Sequence, residues 1–120
     1  MILLDQLFTI CKIESAEASF DLTIELNPSH QIFEGHFPGF PILPGVCMMQ
    51  MVKEITEKLQ GKKLQLVNAS YLKFLQPINP NEDTILIMTL FCSAIERNIN
   101  VIASLSNTRF VCFKFKGLFT

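Results

Sequence analysis

At 120 residues the chain is near the ordinary size of one domain, long enough to bury a single core. Its 49% hydrophobic and 18% charged residues, with 11 Phe and no Trp, are apolar for this size and imply a surface covered by something, most simply a second copy. A formal net charge of −1 gives no global field to select nucleic acid or an anionic membrane, and no stretch approaches the ~18 apolar residues of a membrane span.

Met1 to Leu4 is apolar, but Asp5 ends the run and no cleavage site follows, so no targeting segment is expected. Residues 7–14 read as a first strand. Residues 18–26 alternate, with Phe20, Leu22, Ile24 and Leu26 on one face and Ser19, Asp21, Thr23 and Glu25 on the other. Asn27-Pro28-Ser29 breaks the strand, and the Pro- and Gly-rich residues 30–44 form a shaped loop.

A helix is expected from Pro44-Gly45 to about Gln60, with Gly61 as its stop. Val46, Cys47, Met48, Met49, Met51 and Val52 leave no polar stripe and predict burial on all sides of the first half. Lys53–Glu57 and Glu54–Lys58 are spaced as the ion pairs of a solvated second half. Strands follow at about 64–76, 83–94, 98–106 and 109–118, with turns at Glu96-Arg97-Asn98 and Ser106-Asn107-Thr108. The pattern is α+β: one domain over residues 1–120, an antiparallel sheet wrapped around one long central helix. Such a sheet leaves an edge and a face exposed, which pairing with a symmetric copy would solve.

Cys11, Cys47, Cys92 and Cys112 are widely spaced, and the chain has only two histidines. Neither a metal site nor a cofactor is expected. Thiols inside apolar runs are ordinarily buried and reduced, which favours a reducing cytoplasm.

The segment with most chemistry is His36-Phe37-Pro38-Gly39-Phe40-Pro41-Ile42-Leu43-Pro44-Gly45-Val46. It sets a titratable base a few residues ahead of the free N–H groups of a helix start, an arrangement suited to a thioester. His36, with an ordinary pKa of about 6.5, is available as a neutral base near pH 7. Gly45 places no Cβ in a ligand's way, and the amides there would stabilise an enolate-like oxygen. Gln50 is the lone polar side chain of the apolar half and needs a partner or a cavity. His30 lies outside the segment and reads as a loop histidine bonded to backbone.

This segment closely resembles the signature of the 3-hydroxyacyl-acyl-carrier-protein dehydratases of the hotdog-fold superfamily. A second block, Lys73-Phe74-Leu75-Gln76-Pro77-Ile78-Asn79-Pro80-Asn81-Glu82, resembles that family's strand-then-turn segment, with Asn81-Glu82 where Gly-Asp is usual. The resemblance implies a hotdog fold, a homodimer with one continuous sheet, and an active site in a tunnel at the interface. Further assembly into a trimer of dimers stays open. It places the base on His36, the N–H that holds the thioester oxygen on Gly45, and an orienting backbone carbonyl on Ile42. The family's helix acid falls on Gln50, which cannot deliver a proton as a carboxylic acid does.

Phe33, Phe37, Phe40 and Phe74 are candidates to line an acyl tunnel, with Met48, Met49 and Met51 as adaptable walls, although each is also a common core residue. Lys62, Lys63, Lys73, Arg97, Arg109, Lys114 and Lys116 are candidates to dock an acidic carrier or else simply solvate the surface.

Three functions remain open. One is a dehydratase-like enzyme of fatty-acid or related acyl or polyketide biosynthesis, eliminating water from 3-hydroxyacyl thioesters of acyl carrier protein or coenzyme A to give trans-2-enoyl thioesters. The second is a hotdog acyl thioesterase. The third is a non-catalytic or half-site subunit that pairs with a carboxylate-bearing relative.

Overall fold

The computed structural model describes residues 2–35 and 39–120. Strands β1 (Phe8–Ala16) and β2 (Ser19–Leu26) lead through a 3₁₀ turn at Gln31–Phe33 to helix α1 (Gly45–Gln60). Strands β3 (Leu66–Phe74), β4 (Ile85–Ile95), β5 (Asn98–Ser106) and β6 (Val111–Phe119) follow. All six form one antiparallel sheet in the order β1-β2-β4-β5-β6-β3.

Period-two alternation builds the buried face. Leu22, Ile24 and Leu26 of β2, Leu86, Met88 and Leu90 of β4, and Val101, Ala103 and Leu105 of β5 point inward together. Helix α1 answers with Cys47, Met48, Met51, Val52 and Ile55, spaced so that one stripe meets the sheet within a single cluster. The helix ends where proline and glycine set them. Pro44 is extended at φ −63° and ψ 145°, and Gly61 is left-handed at φ 69°, its N–H bonded to the Glu57 carbonyl at 2.8 Å. No helix among the described residues is long and apolar enough to cross a membrane.

The structure corrects three expectations. Several strand ends move by one or two residues: β1 runs 8–16 rather than 7–14, and β3 runs 66–74 rather than 64–76. The first half of α1 is not buried on all sides, because the sheet covers only one of its faces. Val46 is 65% exposed, while Met49 and Gln50 are half-buried.

The second half of α1 is not simply solvated. Glu54 and Thr56 are buried, and neither expected helix ion pair forms; among the described residues the salt bridge is Lys12–Glu14, at 3.4 Å on the surface. Glu54 is drawn inward because it binds the backbone of a segment about fifty residues away, Leu3 and Leu4.

Edge strand β3 is exposed at all nine positions, although Leu66, Val67, Tyr71, Leu72 and Phe74 are apolar. Its inner neighbour contributes Gly117, opposite Ala69 of β3 and Val101 of β5. A Cβ at Gly117 would lie 2.7 Å from the Asn68 carbonyl oxygen and 2.5 Å from the Phe115 ring. Gly117→Ala should therefore push β3 off β6 and cost about 1–3 kcal/mol, read as a lower urea midpoint. An unchanged midpoint would show that the contact yields freely.

Candidate active site

The start of α1 is built from the loop before it. Leu43 donates its N–H to the Ile78 carbonyl at 2.9 Å, and both side chains are buried, which pins the loop at Pro44. Cys47 and Met48 both donate to the Pro44 carbonyl, at 3.0 and 3.2 Å. Pro44 provides no side-chain cap. The Gly45 and Val46 N–H groups, one and two residues into the helix, have no carbonyl within it to reach. They sit at the positive end of the helix dipole, where developing negative charge is stabilised.

Gly45 is glycine for a visible reason: a Cβ there would lie 2.7 Å from the Phe74 ring. Phe74 lies across the helix start, half-exposed, and stacks on Phe113 with ring centroids 5.3 Å apart. Phe113 continues to Phe115 at 6.5 Å, and Phe115 to Phe119 at 6.0 Å. A line of rings thus runs from the first-turn amides along β6.

Two hollows divide the remaining candidates. Phe40 and Ile42 line a cavity of about 270 Å³ with Gln76, Asn79, Asp83 and Phe110. Gln50 lines a different cleft, of about 630 Å³, with Glu54, Glu57, Lys53, Lys58 and Ile2. Position 50 is five residues beyond position 45, roughly 140° around the helix and about 7 Å along it. One chain therefore does not turn Gln50 toward its own Gly45 amide. His36 and Phe37 lie outside the described residues.

Other candidates fall in place singly. His30 Nδ1 accepts the Ile32 N–H at 3.0 Å, a local structural bond. Phe33 is buried in the core, as are Met48 and Met51, whereas Met49 is half-buried. Lys62 and Lys63 share the Gln50 cleft with Lys53 and Lys58. Lys114 and Lys116 flank a hollow of about 400 Å³ on the outer sheet face, and Lys73 stands opposite Lys114. The Arg109 guanidinium lies 5.6 Å from the Phe110 ring, and Arg97 is exposed in the β4–β5 turn.

Sequence reasoning missed Glu54. Its carboxylate accepts the N–H groups of Leu3 and Leu4 and the Gln50 side-chain nitrogen. Glu57 plays a similar part by accepting the Leu64 N–H at 2.8 Å. The available signal was spacing: 47, 51 and 54 fall on the apolar stripe of the helix, where a carboxylate must find donors.

Among the described residues no three His, Cys, Asp or Glu side chains gather as a metal site requires. All four cysteines are free; Cys47, Cys92 and Cys112 are buried and Cys11 is exposed. Burial raises the three inner thiols, that of Cys92 to about 11.

A six-stranded antiparallel sheet on one long helix, with the Pro-Gly helix start at a ring-lined face, is the hotdog architecture. The chain belongs to the ApeI-like family, described as ApeI dehydratase, whose model matches residues 12–111. It is similar to the 3-hydroxyacyl-acyl-carrier-protein dehydratase FabZ of Syntrophomonas wolfei, 35% identical over an 81-residue alignment that covers 62% of this chain. The match spans 55% of that relative's length. The FabZ of the Wolbachia from Brugia malayi is 28% identical over 119 residues, covering 81% of this chain and 75% of the relative. Among solved structures, the dehydratase heterocomplex ApeI:P from Xenorhabdus doucetiae has a chain of the same fold, with TM-score 0.76 and 20% identity. That match covers 92% of this chain and 96% of that one. A phenylacetic acid degradation-related protein of Ralstonia eutropha JMP134 shares the fold at TM-score 0.62 and 19% identity, covering 90% and 82% of the two chains.

The thiol environments give a direct chemical test. Raised pKa values leave the inner cysteines without thiolate near pH 8, so a thiol-alkylating reagent there should label Cys11 alone in the folded protein and all four in urea. Native labelling of Cys92 would contradict the packing.

Proposed function

We propose that the protein is a dehydratase-type enzyme interconverting 3-hydroxyacyl and trans-2-enoyl thioesters carried on acyl carrier protein or coenzyme A, in the synthesis of fatty acids or related acyl or polyketide chains. The observation that carries this reading is the pair of first-turn amides at Gly45 and Val46, to which the N-cap residue Pro44 gives no side-chain cap, in the segment that begins at His36. Membership of the ApeI-like family supports it.

In this reading His36 takes the proton from the carbon next to the thioester. The Gly45 N–H holds the thioester oxygen as negative charge moves onto it, commonly the largest single contribution to such steps. Phe74 covers that amide and, with Phe37 and Phe40, shapes the acyl path, while the Ile42 carbonyl orients the base or the hydroxyl. The proton and the hydroxyl that leave together make the water released. With no carboxylic acid at position 50, the proton reaches the hydroxyl from His36 or from a water held by Gln50. The lysines of the Gln50 cleft, Lys53, Lys58, Lys62 and Lys63, suit an anionic carrier.

We assign a homodimer joined through β3, with the whole of 1–120 as one hotdog domain, in a reducing cytoplasm. An apolar strand left exposed along an unpaired edge supports that assembly. The opposite edge, β1, has the charges Lys12 and Glu14 on its surface instead. Gln50 and Gly45 point to different sides of α1, so a site that uses both draws on two copies.

A second reading is a subunit that pairs with a carboxylate-bearing relative. Gln50 in the acid's position favours it, and so does the heterocomplex formed by the Xenorhabdus relative.

Hydration of a trans-2-enoyl thioester, followed with a carboxylate-bearing partner absent and then present, separates the readings. His36→Ala should abolish turnover without unfolding the protein. Gln50→Glu should raise it, up to about the 10²-fold typical of a restored general acid. Loss of less than about tenfold in His36→Ala would remove that residue as the base. Unchanged hydration in Gln50→Glu would sink the dehydratase reading. In sedimentation the protein should run near twice its 13.6 kDa chain mass, and a species of that chain mass at micromolar concentration would remove the dimer.

A further inference from the structure

Position 54 lies one helical turn beyond position 50, and the two side chains meet. Gln50 Nε2 donates to Glu54 Oε2 at 2.9 Å. Glu54 is only 8% exposed. Its Oε1 accepts the Leu3 N–H at 2.9 Å and the Leu4 N–H at 2.7 Å, and Leu3 N–H also lies 2.9 Å from Oε2. Among the described residues the partners of this carboxylate are thus all donors.

A carboxylate only accepts, whereas a carboxamide has one end of each kind. Turning the Gln50 oxygen toward Glu54 would set two acceptors against each other where little water can intervene, so the nitrogen must face the carboxylate. With Nε2 on Glu54, the end of the amide turned away from the carboxylate is its carbonyl oxygen, and the nitrogen keeps a second hydrogen. The negative charge bonded to the nitrogen polarises the amide and makes that oxygen a better acceptor.

We propose that Glu54 is a positioning residue of the thioester site. By holding Nε2 it commits Gln50 to accept, through Oε1, the hydrogen of a substrate's 3-hydroxyl or of the water that adds at the same carbon. This rests on the dehydratase-type reading. It also sets specificity: a 3-hydroxyacyl thioester offers the required donor at that carbon, whereas a 3-oxoacyl thioester offers a second acceptor and is disfavoured.

Glu54→Gln isolates this role from simple support of the fold. The new side chain can keep its oxygen on the Leu3 and Leu4 amides while its nitrogen replaces Oε2. Gln50 must then reverse, turning its oxygen toward position 54 and its nitrogen outward. Hydration kcat should fall by about tenfold or more with KM within about threefold, and the preference for 3-hydroxyacyl over 3-oxoacyl thioesters as ligands should disappear. The exchange Q50E/E54Q preserves the hydrogen bond with its ends reversed and returns an acceptor oxygen to position 50, so it should recover activity. The Gln50 side-chain amide signals in nitrogen-15 NMR, assigned by their loss in Gln50→Glu, should move in Glu54→Gln.

A purely structural Glu54 predicts near-normal kcat in Glu54→Gln, because both backbone amides remain bonded. A kcat within about threefold of wild type, or unmoved Gln50 amide signals, overturns the inference. If the wild type turns over no thioester, the dehydratase reading falls separately, and the amide signals alone decide the pairing.

Discussion

One helix has to cover the apolar face of six strands, and most of the structure follows from that constraint. Sixteen helical residues extend about 24 Å, close to the width of six strands spaced about 4.8 Å apart. The helix meets the sheet with a single stripe, Cys47, Met48, Met51, Val52 and Ile55, and the central strands β2, β4 and β5 alternate to meet it. Where the stripe runs short, aromatic bulk fills the space: Phe113, Phe115 and Phe119 are all fully or nearly fully buried along β6.

The side of α1 turned away from the sheet holds the groups that the proposed site would use. Val46, Met49, Gln50, Lys53 and Glu57 follow one another at helical spacing along it, all exposed or half-buried. Its start offers amides without a cap, and its middle offers a carboxamide. Glu54 sits at the boundary between the two sides. An ionised carboxylate taken from water costs several kcal/mol unless donors replace the lost hydration. Here the Leu3 and Leu4 amides and the Gln50 nitrogen replace it, tying the segment before β1 to the helix.

Much of this was legible in the residues, for physical reasons that differ by element. Pro44 and Gly61 set the helix ends because each fixes a backbone geometry by itself. The β2 alternation and the β5 bounds were readable because one face is buried and the register cannot slip without inverting it. The all-round burial expected at Val46 failed because composition says how apolar a helix is, and not which of its faces the sheet covers. The solvated pairing expected of Glu54 and Lys58 failed because i,i+4 spacing is blind to a backbone segment arriving from fifty residues away. In the site, the helix start at Pro44-Gly45 was readable from the motif, whereas the Phe74 ring that fills the place of a Cβ at Gly45 was not. The separation of Ile42 and Gln50 into two hollows was not readable either, since distant segments close each one: residues 76–83 and 107–110 beside Ile42, Ile2 and Leu4 beside Gln50.

The central claim is that two copies complete one thioester site, His36 from one and Gln50 from the other. Subunit mixing tests it most directly. Equal amounts of His36→Ala and Gln50→Leu chains, each inactive alone, are unfolded together, refolded and assayed for enoyl-thioester hydration. Random pairing makes about half the dimers mixed, each with one intact site of two, so about a quarter of wild-type activity should return. A mixture as inactive as its components, with mixed dimers present, would contradict a site shared between copies.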